Sequence, residues 1–100
     1  RMILTRQQFA DWFEAVEPGM GQDHSVLWIP EEATQQHFEW FVSCTNINAG
    51  RNLEHKRQFW SWVRNNLQGH TACFSSSETE GDWWGFTQRS DIAWFLLRWS

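Results

Sequence analysis

Residues 31–44 read EEATQQHFEWFVSC, and the assignment of this stretch decides the fold. Helix propensity and strand alternation claim it almost equally. If residues 31–45 are helical, the chain has room for a three-stranded sheet; if His37 to Ser43 is a strand, the sheet has four. An internal comparison tips the balance. Sliding the chain by 50 positions places Gln8, Phe9 and Trp12 on Gln58, Phe59 and Trp62. Sliding it by 46 places His24 and Ser25 on His70 and Thr71, Phe38 on Trp84, and Trp40 on Phe86. The two halves then read as copies of helix, strand, loop, strand, with His37 to Ser43 paired to Ser25 to Ile29.

The elements around the stretch are clearer. Thr5-Arg6-Gln7-Gln8 has the form of a capping box, and Phe9, Trp12, Phe13 and Val16 recur at helical spacing, which predicts a helix over residues 5–17. A second helix is predicted from about Asn52 to Leu67, closed by Asn65, Asn66 and Gly69. His70 to Ser75 and Asp82 to Thr87 flank a turn-rich segment and read as a hairpin. Ser90 caps a last helix whose inner stripe is Ile92, Phe95, Leu96 and Trp99. The expectation is one α+β domain spanning residues 1–100, ordered αββαββα, with a four-stranded antiparallel sheet and all helices on one face.

That arrangement predicts a bare face. Side chains alternate along a strand, so Val26, Trp28, Phe38 and Trp40 share one side, with Ala72, Phe74, Trp84 and Phe86 as their counterparts. Right-handed connections put both crossing helices on that side. Leu27, Ile29, Phe41, Thr71, Cys73 and Trp83 then face away from every helix. An uncovered apolar patch on a globular chain marks an interface, so Leu27, Ile29, Phe41 and Trp83 are the expected partner-binding residues. Trp94, off the inner stripe of the last helix and between Asp91 and Arg98, joins them.

Composition narrows the chemistry. The net charge of −4 disfavours nucleic acid, whose affinity comes mainly from phosphate neutralisation. The basic cluster Arg51, His55, Lys56, Arg57 and Arg64 reads as a solvated helix face. The longest apolar run, Ile92 to Leu97, is far short of the roughly 20 residues that cross a bilayer, and no apolar leader opens the chain. Arg1 precedes Met2, which reads as the natural start. Cys44 and Cys73 lack metal or redox spacing and read as reduced, buried thiols. Together these features fit a cytoplasmic protein.

Nine tryptophans and eight phenylalanines stand beside no tyrosine, so most indoles are expected in the core. His24, His37, His55 and His70 match no metal spacing; His24 and His70 occupy equivalent strand starts, where they could meet across a pseudo-twofold axis. A Cys73 nucleophile served by His70 is the one thiol arrangement conceivable, and packing is the stronger reading for a mid-strand cysteine. No nucleophile elbow, phosphate-cradling glycine loop or paired-acid motif occurs. No catalytic residue, metal or cofactor is therefore expected.

The closing stretch, residues 82–99, DWWGFTQRSDIAWFLLRW, resembles the C-terminal ends of small uncharacterised bacteriophage proteins. In these an acidic residue opens a short aromatic helix ending in Arg-Trp or Lys-Trp. The resemblance implies a phage product working in the host cytoplasm and carries over no site residues. The expected function is a non-enzymatic protein-binding module that occupies a host protein or forms a homodimer. The competing reading is a glycan or single-strand binder stacking its ligand on Trp83 and Trp94.

Overall fold

Thr5 ends one element and starts the next. It closes strand β1 (Ile3–Thr5) and caps helix α1 (Arg6–Val16). The Gln8 N–H donates to Thr5 Oγ1 at 3.3 Å, and the Thr5 N–H donates to Gln8 Oε1 at 2.9 Å. This is the reciprocal capping box expected from the sequence. The computed structural model describes residues 3–16, 25–28, 36–44, 53–75 and 83–99. The further elements are β2 (Ser25–Trp28), β3 (Trp40–Ser43), α2 (Leu53–Asn66), β4 (Thr71–Ser75), β5 (Trp83–Phe86) and α3 (Ser90–Trp99). In α2, Glu54 in the first turn and Arg64 in the last complement the helix dipole.

The fold is α+β, with three helices and an antiparallel sheet among the described residues. Trp40–Ser43 is strand, not helix, although residues 31–35 lie outside the described residues. Three details differ from expectation. First, β1 joins the four expected strands, giving the order β1-β3-β5-β4-β2. Second, β2 pairs with β4 rather than with β3, whose neighbours are β1 and β5. The pairing of β2 with β3 that a repeat would require does not form.

Third, the helices lie on both faces. β1 and β3 are antiparallel neighbours, and from each the chain steps the same way across the sheet, through α1 to β2 and through α2 to β4. Two crossovers of the same hand that start on antiparallel strands end on opposite sides. Accordingly Val42, Cys73, Trp84 and Phe86 form one core with Phe59, Trp60 and Val63 of α2 and Ile92 and Phe95 of α3. Leu4, Phe41, Ala72, Phe74 and Trp83 form the other with Phe9 and Phe13 of α1.

The register explains which strand residues share a side. Cys73 lies opposite Trp84 and Phe74 opposite Trp83, so Ala72 and Phe74 face α1 while Trp84 and Phe86 face α2 and α3. The expected grouping of Ala72 and Phe74 with Trp84 and Phe86 is therefore off by one residue, enough to exchange faces. Gly85 sits mid-sheet, paired to both Phe41 and Ala72. A β-carbon there would lie 2.6 Å from Phe74 Cε2 and 3.0 Å from Phe41 Cε1. The missing side chain is the space those two rings occupy.

Candidate functional site

Two of the five expected binding residues, Phe41 and Trp83, lie on buried faces. Phe41 is 1% exposed and its ring stacks on Phe9, with centroids 4.1 Å apart and planes 7° apart. Trp83 is 8% exposed and packs against Trp12 at 4.8 Å and Phe9 at 5.2 Å. Both belong to the α1 core, so the expectation that they line a bare sheet face is corrected. Thr71 and Cys73 are buried as well. Leu27 lies at the register irregularity between Val26 and Trp28 on β2, and Ile29 lies outside the described residues.

Trp94 is different. It is 62% exposed, and Leu97 is 80% exposed; these are the large hydrophobic side chains left in solvent among the described residues. They stand three positions apart on α3 and therefore on one flank of it. Ile92 and Phe95 are buried on the opposite flank, with Leu96 and Trp99 partly buried beside them. The inner stripe matches the sequence reading. Leu97 was missed, although its position off that stripe and beside Trp94 was a usable signal.

α3 is held firmly at both ends. Asp91, 1% exposed, accepts from the Gln68 N–H at 3.0 Å and from the Gly69 N–H at 2.8 Å, which ties the helix to the turn after α2. The neighbouring Thr87 adds two bonds to His70: its N–H donates to the His70 carbonyl at 3.1 Å, and its Oγ1 accepts from the His70 N–H at 2.9 Å. At the other end Trp99 meets Phe59 at 4.9 Å and Trp62 at 5.9 Å, and the Arg98 guanidinium lies 4.1 Å from the Trp99 ring centroid. Alongside α3 runs a shallow groove lined by Ile3, Arg89, Ser90, Ile92, Ala93 and Leu96. Arg89 lies 5.5 Å from the Trp40 ring centroid. Ala93, which lines the groove, is exposed one turn before Leu97.

The other chemical candidates do not converge. His37 Nε2 pairs with Glu39 Oε1 at 2.7 Å on the surface. His55 packs edge-on to Trp99 at 6.0 Å, and His24 lies outside the described residues. Cys44 and Cys73 are buried thiols without a disulfide, the former with Sγ 4.0 Å from the Trp99 carbonyl. Among the described residues no group of three His, Cys, Asp or Glu side chains is placed to hold a metal. No described helix is long and apolar enough to cross a membrane. From the basic segment, Arg57 and Arg64 are exposed on α2, as a solvated face requires. Comparison with protein-family models, curated proteins and solved structures finds no match to this chain.

Proposed function

We propose that this chain is a non-enzymatic protein-binding module whose contact surface is the outer flank of α3. The observation that carries this reading is the pairing of Trp94 and Leu97, two large apolar side chains in solvent on one flank of a helix anchored at both ends. Among the described residues the other large aromatics are buried or half-buried, so an indole and a leucine side by side in water are the exception. Rigid tryptophan anchors supply a large share of the energy at protein interfaces, because they bury much area while losing little side-chain entropy. The groove begins at Ala93, one turn before Leu97, and adds further apolar side chains on that side of the helix. This reading keeps Trp94 from the expected binding set and replaces the sheet face, which α1 covers.

The test is affinity capture from bacterial lysate by the wild type and by the double variant Trp94→Asp/Leu97→Asp, with thermal melts run in parallel. The expected result is a partner band that the variant loses while its melting temperature stays unchanged. Equal capture by both proteins sinks the assignment of the surface. Saturable changes in Trp94 emission with oligosaccharides or oligonucleotides, absent in Trp94→Phe, would replace it with a stacking site for those ligands.

A further inference from the structure

The solvent face of α3 is charged at its borders as well as apolar at its centre. Ser90, Ala93, Trp94, Leu97 and Arg98 are exposed, and they recur at i, i+3, i+4, i+7 and i+8, the spacing of one continuous helix face. Ala93, Trp94 and Leu97 form its apolar middle. An arginine borders that middle on each side. Arg89, just before the helix, lies over Trp40, 5.5 Å from the ring centroid, and lines the groove with Ile3, which puts it on the side of β1 and β3. Arg98 lies over Trp99, 4.1 Å from the centroid, and Trp99 meets Trp62, which puts it on the side of α2. One arginine stands at the start of the helix and the other near its end, so the pair brackets the apolar middle diagonally.

Both arginines are exposed, and α3 has no carboxylate at its surface to answer them. Asp91, the one acid of the helix, is buried and accepts from the Gln68 and Gly69 amides. Glu54, in the first turn of the neighbouring α2, accepts from Gln58 of its own helix. A chain of net charge −4 therefore surrounds its exposed indole with a positive border. A guanidinium that lies over a ring uses its face there and gives up part of its side-chain freedom in advance. Its N–H donors remain in its plane, where they hold a carboxylate in bidentate fashion.

We propose that this face docks an amphipathic helix of a partner protein whose apolar stripe is bordered on both sides by Asp or Glu. This rests on the reading of the α3 flank as the contact surface and names the chemistry of its partner. Leucine-sized side chains of such a helix pack beside Trp94 and Leu97, over the hollow that Ala93 leaves, as apolar helix faces do when ridges enter grooves. Its border carboxylates meet Arg89 and Arg98. Charge selects among the occupants. α3 of a second copy, parallel or antiparallel, sets arginine at the level of arginine, which is repulsive. An anionic bilayer attracts the border but repels the chain as a whole, and Trp94 and Leu97 offer it little apolar area to insert.

A displayed library of amphipathic helices tests this with the full chain as bait. Each member carries a fixed leucine stripe, and its border positions are free to be acidic, basic or neutral. After selection on the wild type, Asp and Glu at the borders are expected to exceed Lys and Arg by about tenfold, because charges at the rim choose partners by sign. Arg89→Glu/Arg98→Glu should reverse that preference, and Arg89→Gln/Arg98→Gln should abolish it. A selected acidic peptide, labelled and titrated by anisotropy, should bind more weakly as salt rises and lose at least about tenfold in affinity for Trp94→Asp/Leu97→Asp. Melts matching the wild type check that the variants are folded, since all four side chains are exposed. Borders that emerge neutral or basic, or equally acidic on the charge-reversed bait, overturn the proposal, as does a library from which nothing is enriched. In each of those cases lysate capture still lost in Trp94→Asp/Leu97→Asp leaves the α3 flank standing. Equal enrichment on the wild type and on Trp94→Asp/Leu97→Asp removes both readings. Binding to phosphatidylserine vesicles, or a dimer in sedimentation, that this double variant loses would put a bilayer or a second copy in place of the helix.

Discussion

The carboxylate of Asp91 accepts a 2.8 Å hydrogen bond from the backbone N–H of Gly69, joining the first turn of α3 to the turn after α2 across 22 residues of sequence. Its other oxygen accepts from Gln68 at 3.0 Å. Gly69 is required at that approach, since a β-carbon there would collide with Thr87 Oγ1 and lie 2.6 Å from Gln88 Cγ. Thr87 in turn accepts from His70. The turn and the helix start are one hydrogen-bonded unit, and the exposed flank of α3 inherits its orientation from it.

Asp91→Ala leaves both amides without their acceptor in a half-buried site. A hydrogen bond to a charged group contributes about 1.5 to 3 kcal/mol, so the loss is expected to be about 2 to 4 kcal/mol in urea denaturation. Asp91→Asn retains one acceptor oxygen and should fall between the two. A variant as stable as the wild type would show that the latch contributes nothing.

Gly85→Ala pushes a methyl group against Phe74 and Phe41, both buried and closely packed. Neither ring is a loose surface end that can swing aside. Overpacking of this kind costs about 1 to 3 kcal/mol, and thermal unfolding should show it as a lowered midpoint. Restoring room with Phe74→Leu in the same chain is expected to recover part of the loss, because the two positions are in contact.

Helix boundaries and the nature of the strands were legible in the sequence for local reasons. The capping box at Thr5 and Gln8 and the spacing of Phe9 and Phe13 locate α1 to within a residue, and the stripe Ile92, Phe95, Leu96 and Trp99 gives the inner flank of α3. The antiparallel hairpin of β4 and β5 was legible too, whereas the order of the strands and the face each helix covers were not. β1 is only three residues long and ends on a residue already accounted for as a cap, so it has no separate signature. Without it, α1 has no strand to cross over from, and the handedness rule offers no reason to put it opposite α2. The hairpin register was misjudged by one position, because the loop that sets it does not reveal its geometry.

One signal in the sequence does bear on how the sheet is covered. Phe41-Val42, Trp83-Trp84 and Ala72-Cys73-Phe74 are continuous apolar runs rather than apolar residues alternating with polar ones. Such runs belong to strands covered on both faces. A bare sheet face was therefore at odds with its own strands. Trp94 was placed correctly because it depends only on the period of a single helix.

The capping box itself should be worth a measurable amount. Thr5→Ala removes the acceptor for the Gln8 N–H, and Gln8→Ala removes the acceptor for the Thr5 N–H. Loss of a side-chain cap costs about 0.5 to 2 kcal/mol. Because the two residues serve one motif, the double variant should lose less than the sum of the singles. Strict additivity in denaturant melts would contradict a reciprocal cap.

Core and surface separate cleanly within the aromatic set. Trp83 and Phe41 lie under α1, against Trp12 and Phe9, so Trp83→Asp buries a charge in that core and should unfold the chain. Phe41→Ala should cost about 3 to 5 kcal/mol, as truncation of a buried aromatic does. Trp94→Ala removes a side chain that is 62% exposed and is expected to stay within about 0.5 kcal/mol of the wild type. Circular dichroism melts of the three variants decide the matter. A folded Trp83→Asp would mean that α1 does not cover the sheet, and the bare-face interface would return; an unfolded one, beside a stable Trp94→Ala, leaves the α3 flank as the surface on which binding is to be sought.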